Sequence, residues 1–362
     1  WFWRLVIITR SNISKFIALV VGLICIYFAY DYNQNNNYSY QGKIYGTYWK
    51  ISSREFINQQ YIDEIENILS AIDLIASNYK QNSEVNKLNF YDTNVEFFLS
   101  NDLYEIFKIA FDVSDKTDGI YDITVGSVVN NLGFGPDLFL ENQYTFESYE
   151  EKFSFDEDKK TITKFKDIVF DLSSVAKGYA VDAISDYLLA NNFNNYLIDI
   201  GGEIAANGFS KSGFWTIGIQ DPQSLHQNVS FTVPNSNKFI GVATSGDYLN
   251  FKYVDGEIIS HSIDPRIIKS KDNNVLSVTV LDDSSVGRAD AFATAFNVMS
   301  LDESIKLSES LDLKIKIIYL SDGSIKFFES KSWQNINYEW NINWNSCFCT
   351  CNLWSCNWFY TK

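Results

Sequence analysis

The chain has 362 residues, 46% of them hydrophobic and 16% aromatic, which is enough to bury a sizeable core. Its formal net charge of −16 excludes a general nucleic-acid binder, because a phosphate backbone selects basic surfaces. No cysteine lies between Gly42 and Ser332, so that stretch has neither a disulfide framework nor a thiol nucleophile.

Residues 16–30 form an uncharged apolar run, preceded by Arg4, Arg10 and Lys15 and followed by Asp31 and an Asn-rich linker. Basic residues stay on the cytoplasmic side, so the pattern reads as an inner-membrane anchor with the body on the periplasmic side. Ile13 and a snorkelling Lys15 lengthen the run toward a full span. A cleaved signal peptide is the competing reading. Cys25 follows Ile24, where a lipoprotein cleavage site carries a small residue, which places lipidation below an uncleaved anchor. Position 1 is Trp rather than Met, and the expected start lies upstream.

After the linker, apolar periodicity predicts helices over residues 56–78 and 103–113, and alternation predicts strands over 215–219 and 277–281. No Pro/Gly-rich segment interrupts residues 42–332 and no repeat of solenoid length is present. One large α+β domain is therefore expected, with an N-terminal segment over 1–41 and a distinct tail over 333–362.

Three stretches carry chemistry. In the first, DIVF reads as a strand leading into DLSSVAKGYAVD at residues 171–182. Ala176, Tyr179, Ala180, Ala183, Ile184, Tyr187 and Leu188 recur at helical spacing, which puts Ser173 and Ser174 where an N-cap belongs. A helix start with free amides and Lys177 in its first turn is a place for a phosphate. In the second, residues 245–266 read as two strands around the Asp255-Gly256 hairpin signal, delivering His261 and Asp264 to one rim. A lone histidine is more often structural, but His261 beside Asp264 is an acid/base candidate. In the third, ADAFAT follows the strand-like LSVTVLD and sets Asp290 and Thr294 on one face at the start of a helix. Two hard oxygen ligands there make half of a magnesium site. A capping Asp with a Thr bonded back to its own helix is the plain alternative.

With YGT at 45–47, NYKQNSEVNKLN at 78–89, TDGIYDITVG at 117–126 and IDIGGEIAANG at 198–208, these stretches run in order over residues 42–332. Together they resemble the ApbE-type flavin transferases, the FAD:protein FMN transferases. The resemblance implies a single T-fold-related α+β domain with a largely antiparallel sheet and packed helices. It implies magnesium held by Asp290, Thr294 and an oxygen of Ser174 or its backbone, a phosphate met by Lys177, and a flavin nucleotide met by Asp171. Tyr45, Tyr79, Ile120, Tyr121, Asp122 and the backbone near Ile263 would line the FAD pocket, and His261 would handle the proton of the acceptor hydroxyl. The implied activity splits FAD, attaches FMN to Thr or Ser of an acceptor protein and releases AMP. The implied acceptors are subunits of a sodium-pumping NADH:quinone reductase or a related electron-transfer complex. A metal-dependent FAD pyrophosphatase and a non-catalytic flavin-binding protein are the alternatives. Two positions depart from the family pattern: Tyr45 stands where a methionine usually precedes Gly-Thr, and Ile267-Ile268 replace the usual Thr-Gly after Asp-Pro-Arg.

The tail departs in composition, with Trp333, Trp340, Trp344, Trp354 and Trp358 among Asn residues and Cys347, Cys349, Cys351 and Cys356. It reads as an aberrant or disordered extension outside the fold, with a metal-binding tail as the second reading.

Overall fold

The computed structural model describes residues 10–136, 144–220, 229–234, 238–246, 251–254, 257–260, 262–271 and 273–336. Its centre is an eight-stranded sheet whose strands neighbour one another in chain order: Tyr38–Ile44, Thr47–Ser53, Tyr196–Ile200, Glu203–Asn207, Ile240–Gly246, Val275–Asp282, Lys314–Ser321 and Ser324–Glu329. Every adjacent pair is antiparallel. The strand predicted over 277–281 is thus the inner strand Val275–Asp282, and it is buried on both faces. Val278 and Val280 meet helices, while Leu281 meets Trp215, Ile217, Ile219 and Trp333 on the opposite side.

Two helices lie directly on the sheet, Ala176–Ala190 and Val286–Val298, and Gln59–Ala76 and Asn101–Lys116 pack against them. The outer pair matches the apolar periodicity of residues 56–78 and 103–113. Each starts at a side-chain cap, Asn58 for the first and Ser100 for the second. Their buried stripes, Ile62, Ile65, Leu69 and Ile72 in one and Leu103, Ile106, Phe107 and Ala110 in the other, recur every three or four residues.

The two inner helices bind each other's ends. Asp182 accepts hydrogen bonds from the Val286 and Gly287 amides at 2.7 and 2.9 Å and from Ser285 Oγ at 2.7 Å. In return, Asp290 Oδ2 accepts the Gly178 amide in the first turn of the other helix, at 3.3 Å. Burial raises the Asp182 carboxyl to about 6, against the pull of its three donors. The folded state therefore binds a proton more tightly than the unfolded chain between pH 4 and pH 6, and this contribution to stability falls as pH rises through that window. In Asp182→Asn the group no longer titrates. Relative to wild type, the variant is expected to gain about 2–3 kcal/mol between pH 4 and pH 7, as read from urea unfolding across pH. A flat difference would remove the assignment.

Three expectations are corrected. DIVF forms no strand beyond a single bridge between Val169 and Val125, because asparagine side chains take the place of a ladder. The Phe170 amide donates to Asn89 Oδ1 at 2.8 Å, and its carbonyl accepts from the Asn78 and Asn89 amides at 2.9 and 3.0 Å. The Asn-rich linker is mostly helix: Arg10–Asn35 is continuous for 26 residues, about 39 Å, and Asn37 Oδ1 then accepts the Lys211 amide at 2.8 Å. Within that helix Ile13–Tyr32 has a mean hydropathy of 2.1 and none of it is buried, which suits a membrane anchor or a signal segment. Finally, the body passes the boundary drawn at Ser332. Trp333 is 4% exposed in the cluster with Trp215 and Leu281, and Ile336 packs against it. Trp333→Ala is expected to cost about 3–5 kcal/mol in denaturant unfolding; a cost below 1 kcal/mol would return Trp333 to the tail. The four tail cysteines lie outside the described residues.

Candidate functional site

A cavity of about 910 Å³ opens where the inner helices meet the sheet. Of the residues expected in the site, Tyr45, Tyr79, Ile120, Tyr121, Asp122, Asp171, Ser174, Lys177, Ile263, Asp290 and Thr294 all line it. His261 lies outside the described residues, although the flanking strands Phe251–Val254 and Glu257–Ser260 do form the expected hairpin.

The convergence has a steric cause. A Cβ on Gly178 would sit 2.6 Å from Gly287 Cα and from Val286 O, so the two helices touch backbone to backbone there. That contact brings Lys177, one residue earlier, into the field of Asp290 on the facing helix. Lys177 Nζ forms an ion pair with Glu203, which follows Gly201-Gly202 at the start of a sheet strand. Burial alone would lower the Lys177 ammonium, but Glu203 and Asp290 outweigh it and hold it above its ordinary value. Burial raises the Glu203 carboxyl as well, and pushes Asp290 well above its ordinary value despite Lys177 nearby.

Asp290 is not at a helix start, as its sequence position had implied. Ser285 caps Val286–Val298 through the Arg288 amide, and Asp290 falls in the second turn. Nor do Ser173 and Ser174 cap Ala176–Ala190. The N-cap is Val175, with no side-chain bond, while the Ser173 amide donates to Asp171 Oδ1 at 2.9 Å. This frees the Ser174 hydroxyl, which pairs with Tyr121 Oη at 3.0 Å. On the facing helix, Thr294 Oγ1 lies 3.2 Å from Ser245 Oγ. Asp290 and the hydroxyls of Thr294 and Ser174 offer only oxygen, as magnesium prefers, and the one hydrogen bond to Asp290 is long enough to yield to a cation.

Asp122 differs from expectation. Its carboxylate accepts from the Thr124 amide and hydroxyl, from Tyr144 Oη at 2.6 Å and from Lys152 Nζ at 2.7 Å. Four donors saturate a carboxylate, so this side chain organises the loop and has no lone pair for a nucleotide. Tyr121 beside it is 2% exposed, and burial raises its hydroxyl far above the usual range. Tyr79, in contrast, is 69% exposed and bonded only through its hydroxyl to the Phe134 carbonyl at 2.8 Å, which leaves its ring at the cavity rim.

The two departures from the family pattern both sit at positive φ. Tyr45 (φ 51°) and Gly46 (φ 73°) make the two-residue turn between the first two sheet strands, and Tyr45 Oη is held by the Leu69 carbonyl at 2.9 Å. Ile268 has φ 57° in the turn between Ile263–Asp264 and Lys269–Ser270, a conformation in which a β-branched residue is strained. Ile268→Gly is expected to stabilise the protein by about 1 kcal/mol; a lower midpoint of thermal unfolding would count against it.

Glu203 and Ser245 were not singled out from the sequence. The signal for Glu203 was present in IDIGGEIAANG, where two glycines precede a carboxylate, but its partner lies 26 residues away and only the fold joins them.

The profile of the ApbE family matches residues 45–319. The chain is 32% identical over 279 residues to the FAD:protein FMN transferase of Vibrio cholerae, covering 75% of this chain and 83% of that protein. It is 31% identical over 316 residues to the FAD:protein FMN transferase of Haemophilus influenzae, covering 82% and 91%. The solved structure of the flavin transferase ApbE from Vibrio cholerae superposes with a TM-score of 0.72 at 29% identity, over 83% of this chain and 99% of that one. The apo form of the Pseudomonas stutzeri flavinyl transferase ApbE superposes with a TM-score of 0.71 at 25% identity, over 83% and 97%. Sequence, fold and the residues gathered at the cavity agree, and the chain belongs to the ApbE family of flavin transferases.

Proposed function

We propose that this chain is an FAD:protein FMN transferase that uses magnesium to move FMN from FAD to a Thr or Ser hydroxyl of an acceptor protein. The observation that carries this reading is the meeting, at one cavity, of a helix start bearing Lys177 with the Asp290 and Thr294 oxygens of a second helix. One element suits a pyrophosphate and the other a hard cation.

In the proposed reaction the acceptor oxygen attacks the phosphorus on the FMN side of the pyrophosphate. A phosphoester forms, the bond to the AMP phosphate breaks, AMP leaves, and His261 takes the hydroxyl proton. Lys177, at the positive end of its helix, holds the phosphates. Asp171 and the rings of Tyr45 and Tyr79 orient the flavin nucleotide, and the hydrogen bond between buried Tyr121 and half-buried Ser174 fixes the turn before Lys177. Magnesium held by Asp290, Thr294 and an oxygen of Ser174 or its backbone would neutralise charge developing on the phosphates.

The apolar Ile13–Tyr32 stretch supports a body tethered to the inner membrane on its periplasmic side. Its acceptors would be subunits of a sodium-pumping NADH:quinone reductase or a related electron-transfer complex that expose their flavin site on that face. Incubation with FAD and magnesium, with and without a Thr-containing acceptor peptide, followed by mass measurement, tests the reading. The expected product is peptide plus FMN as a phosphoester, with AMP released. Free FMN and AMP at equal rates in both samples would make the chain a pyrophosphatase, and intact FAD a binding protein.

A further inference from the structure

Glu203 is 3% exposed, and its two carboxylate oxygens have different surroundings. Oε1 receives Lys177 Nζ, whereas Oε2 is buried without a hydrogen-bond partner. A buried carboxylate oxygen without a donor is costly, and folded proteins satisfy such an atom with an ordered water, an ion or a ligand. Glu203 lines the cavity together with Asp290 and Lys177, and the three side chains form one interacting cluster of two acids and one base. Lys177 lies within the field of both acids but makes its ion pair with Glu203. Remove the charge of Glu203 and the ammonium has Asp290 as its remaining acidic neighbour in the cluster. There it would compete directly with a cation for the same carboxylate.

We propose that Glu203 is a positioning residue of the cation site: it holds the Lys177 ammonium away from Asp290 and offers Oε2 to a water carried by the bound cation. This rests on the reading of Asp290 as a cation ligand. Magnesium-like ions retain several waters, and each is a donor that a buried carboxylate oxygen can accept. The arrangement also lets a lysine for phosphate and a carboxylate for metal share one helix contact without neutralising each other. Glu203 thus acts through Lys177 and through solvent.

The test is Mn²⁺ binding to the full chain in detergent, without FAD, followed by the electron paramagnetic resonance of free Mn²⁺. Glu203→Gln keeps the shape and is expected to weaken binding by about 10–100-fold. Lys177→Met, which removes the competing charge, is expected to bind as tightly as wild type or more tightly. The double variant should recover at least part of what Glu203→Gln alone loses, which a general structural defect would not allow. Asp290→Ala should lose binding altogether. Wild-type affinity in Glu203→Gln with binding lost in Asp290→Ala would overturn the role of Glu203 and leave the cation site standing. Wild-type affinity in Asp290→Ala would overturn the cation site itself. Failure of Lys177→Met to rescue, or weakening by Lys177→Met alone, would show that Glu203 does not act by restraining the lysine.

Discussion

Asp290→Ala is expected to lower flavin transfer by about 10³-fold or more while the protein remains folded. The two halves of that expectation come from the same geometry. Asp290 is buried, and burial pushes its carboxyl well above its ordinary range, so the ionised form is held at a cost in free energy. Its single hydrogen bond, from the Gly178 amide at 3.3 Å, is too long to offset that cost, and losing it costs about 1 kcal/mol as for other helix-start acceptors. Removing a strained charge returns some stability, so the midpoint of unfolding should change little or rise. What disappears is the one acidic group on the helix face shared with Thr294, and with it the charged ligand that a cation at the pyrophosphate would need. Single-turnover transfer to an acceptor peptide, measured over a range of magnesium, separates the terms. A variant restored by high magnesium would have lost affinity only, and a variant with wild-type turnover would remove Asp290 from the site. An unfolded variant would show that the Gly178 contact is structural first.

Local signals in the sequence were sufficient for elements whose stability is decided locally. The helices Gln59–Ala76 and Asn101–Lys116 show their apolar stripe and their caps within about 20 residues, and the strands Phe251–Val254 and Glu257–Ser260 pair on either side of the Asp255-Gly256 signal in the sequence. The residues expected in the site stand in short motifs of the sequence, and all of them but His261, which lies outside the described residues, line one cavity. What sequence could not show is how those motifs use one another. Asp182 falls between the apolar positions of its own helix, yet it binds the start of a helix 103–105 residues later. Asp290 reads as a cap of its own helix and instead meets the start of a different one. DIVF has the composition of a strand, but the asparagines at 78 and 89 take the hydrogen bonds a neighbouring strand would have made. Asp122 matches its motif while its carboxylate is saturated by Lys152, Tyr144 and Thr124. In each case the competing partner is distant in sequence, and only packing decides between them.

Gly178→Ala carries the second large expectation, because local and tertiary preference oppose each other at that residue. In an exposed helix the change would stabilise by about 1 kcal/mol, since glycine loses more backbone freedom than alanine on folding. Here the added Cβ would lie 2.6 Å from Gly287 Cα, 2.6 Å from Val286 O and 2.7 Å from Gly287 N, all backbone atoms that no rotamer change can move. The helices must separate, and overpacking of this kind costs about 1–3 kcal/mol or more, so the net result should be a less stable protein. The larger effect falls on activity. Separation at Gly178 shifts Lys177 against Asp290, and a displacement of about 1 Å between reacting groups costs about 10²-fold in rate. Gly287→Ala is the control on the facing helix: its Cβ would come no closer than 3.1 Å to Tyr179 N and 3.3 Å to the movable Ile109 Cδ1. It should therefore lose less of both stability and rate. Equal losses in the two variants would mean that the helices tolerate small shifts anywhere along the contact. Unchanged transfer in Gly178→Ala would mean that the spacing between Lys177 and Asp290 is not what the close approach protects.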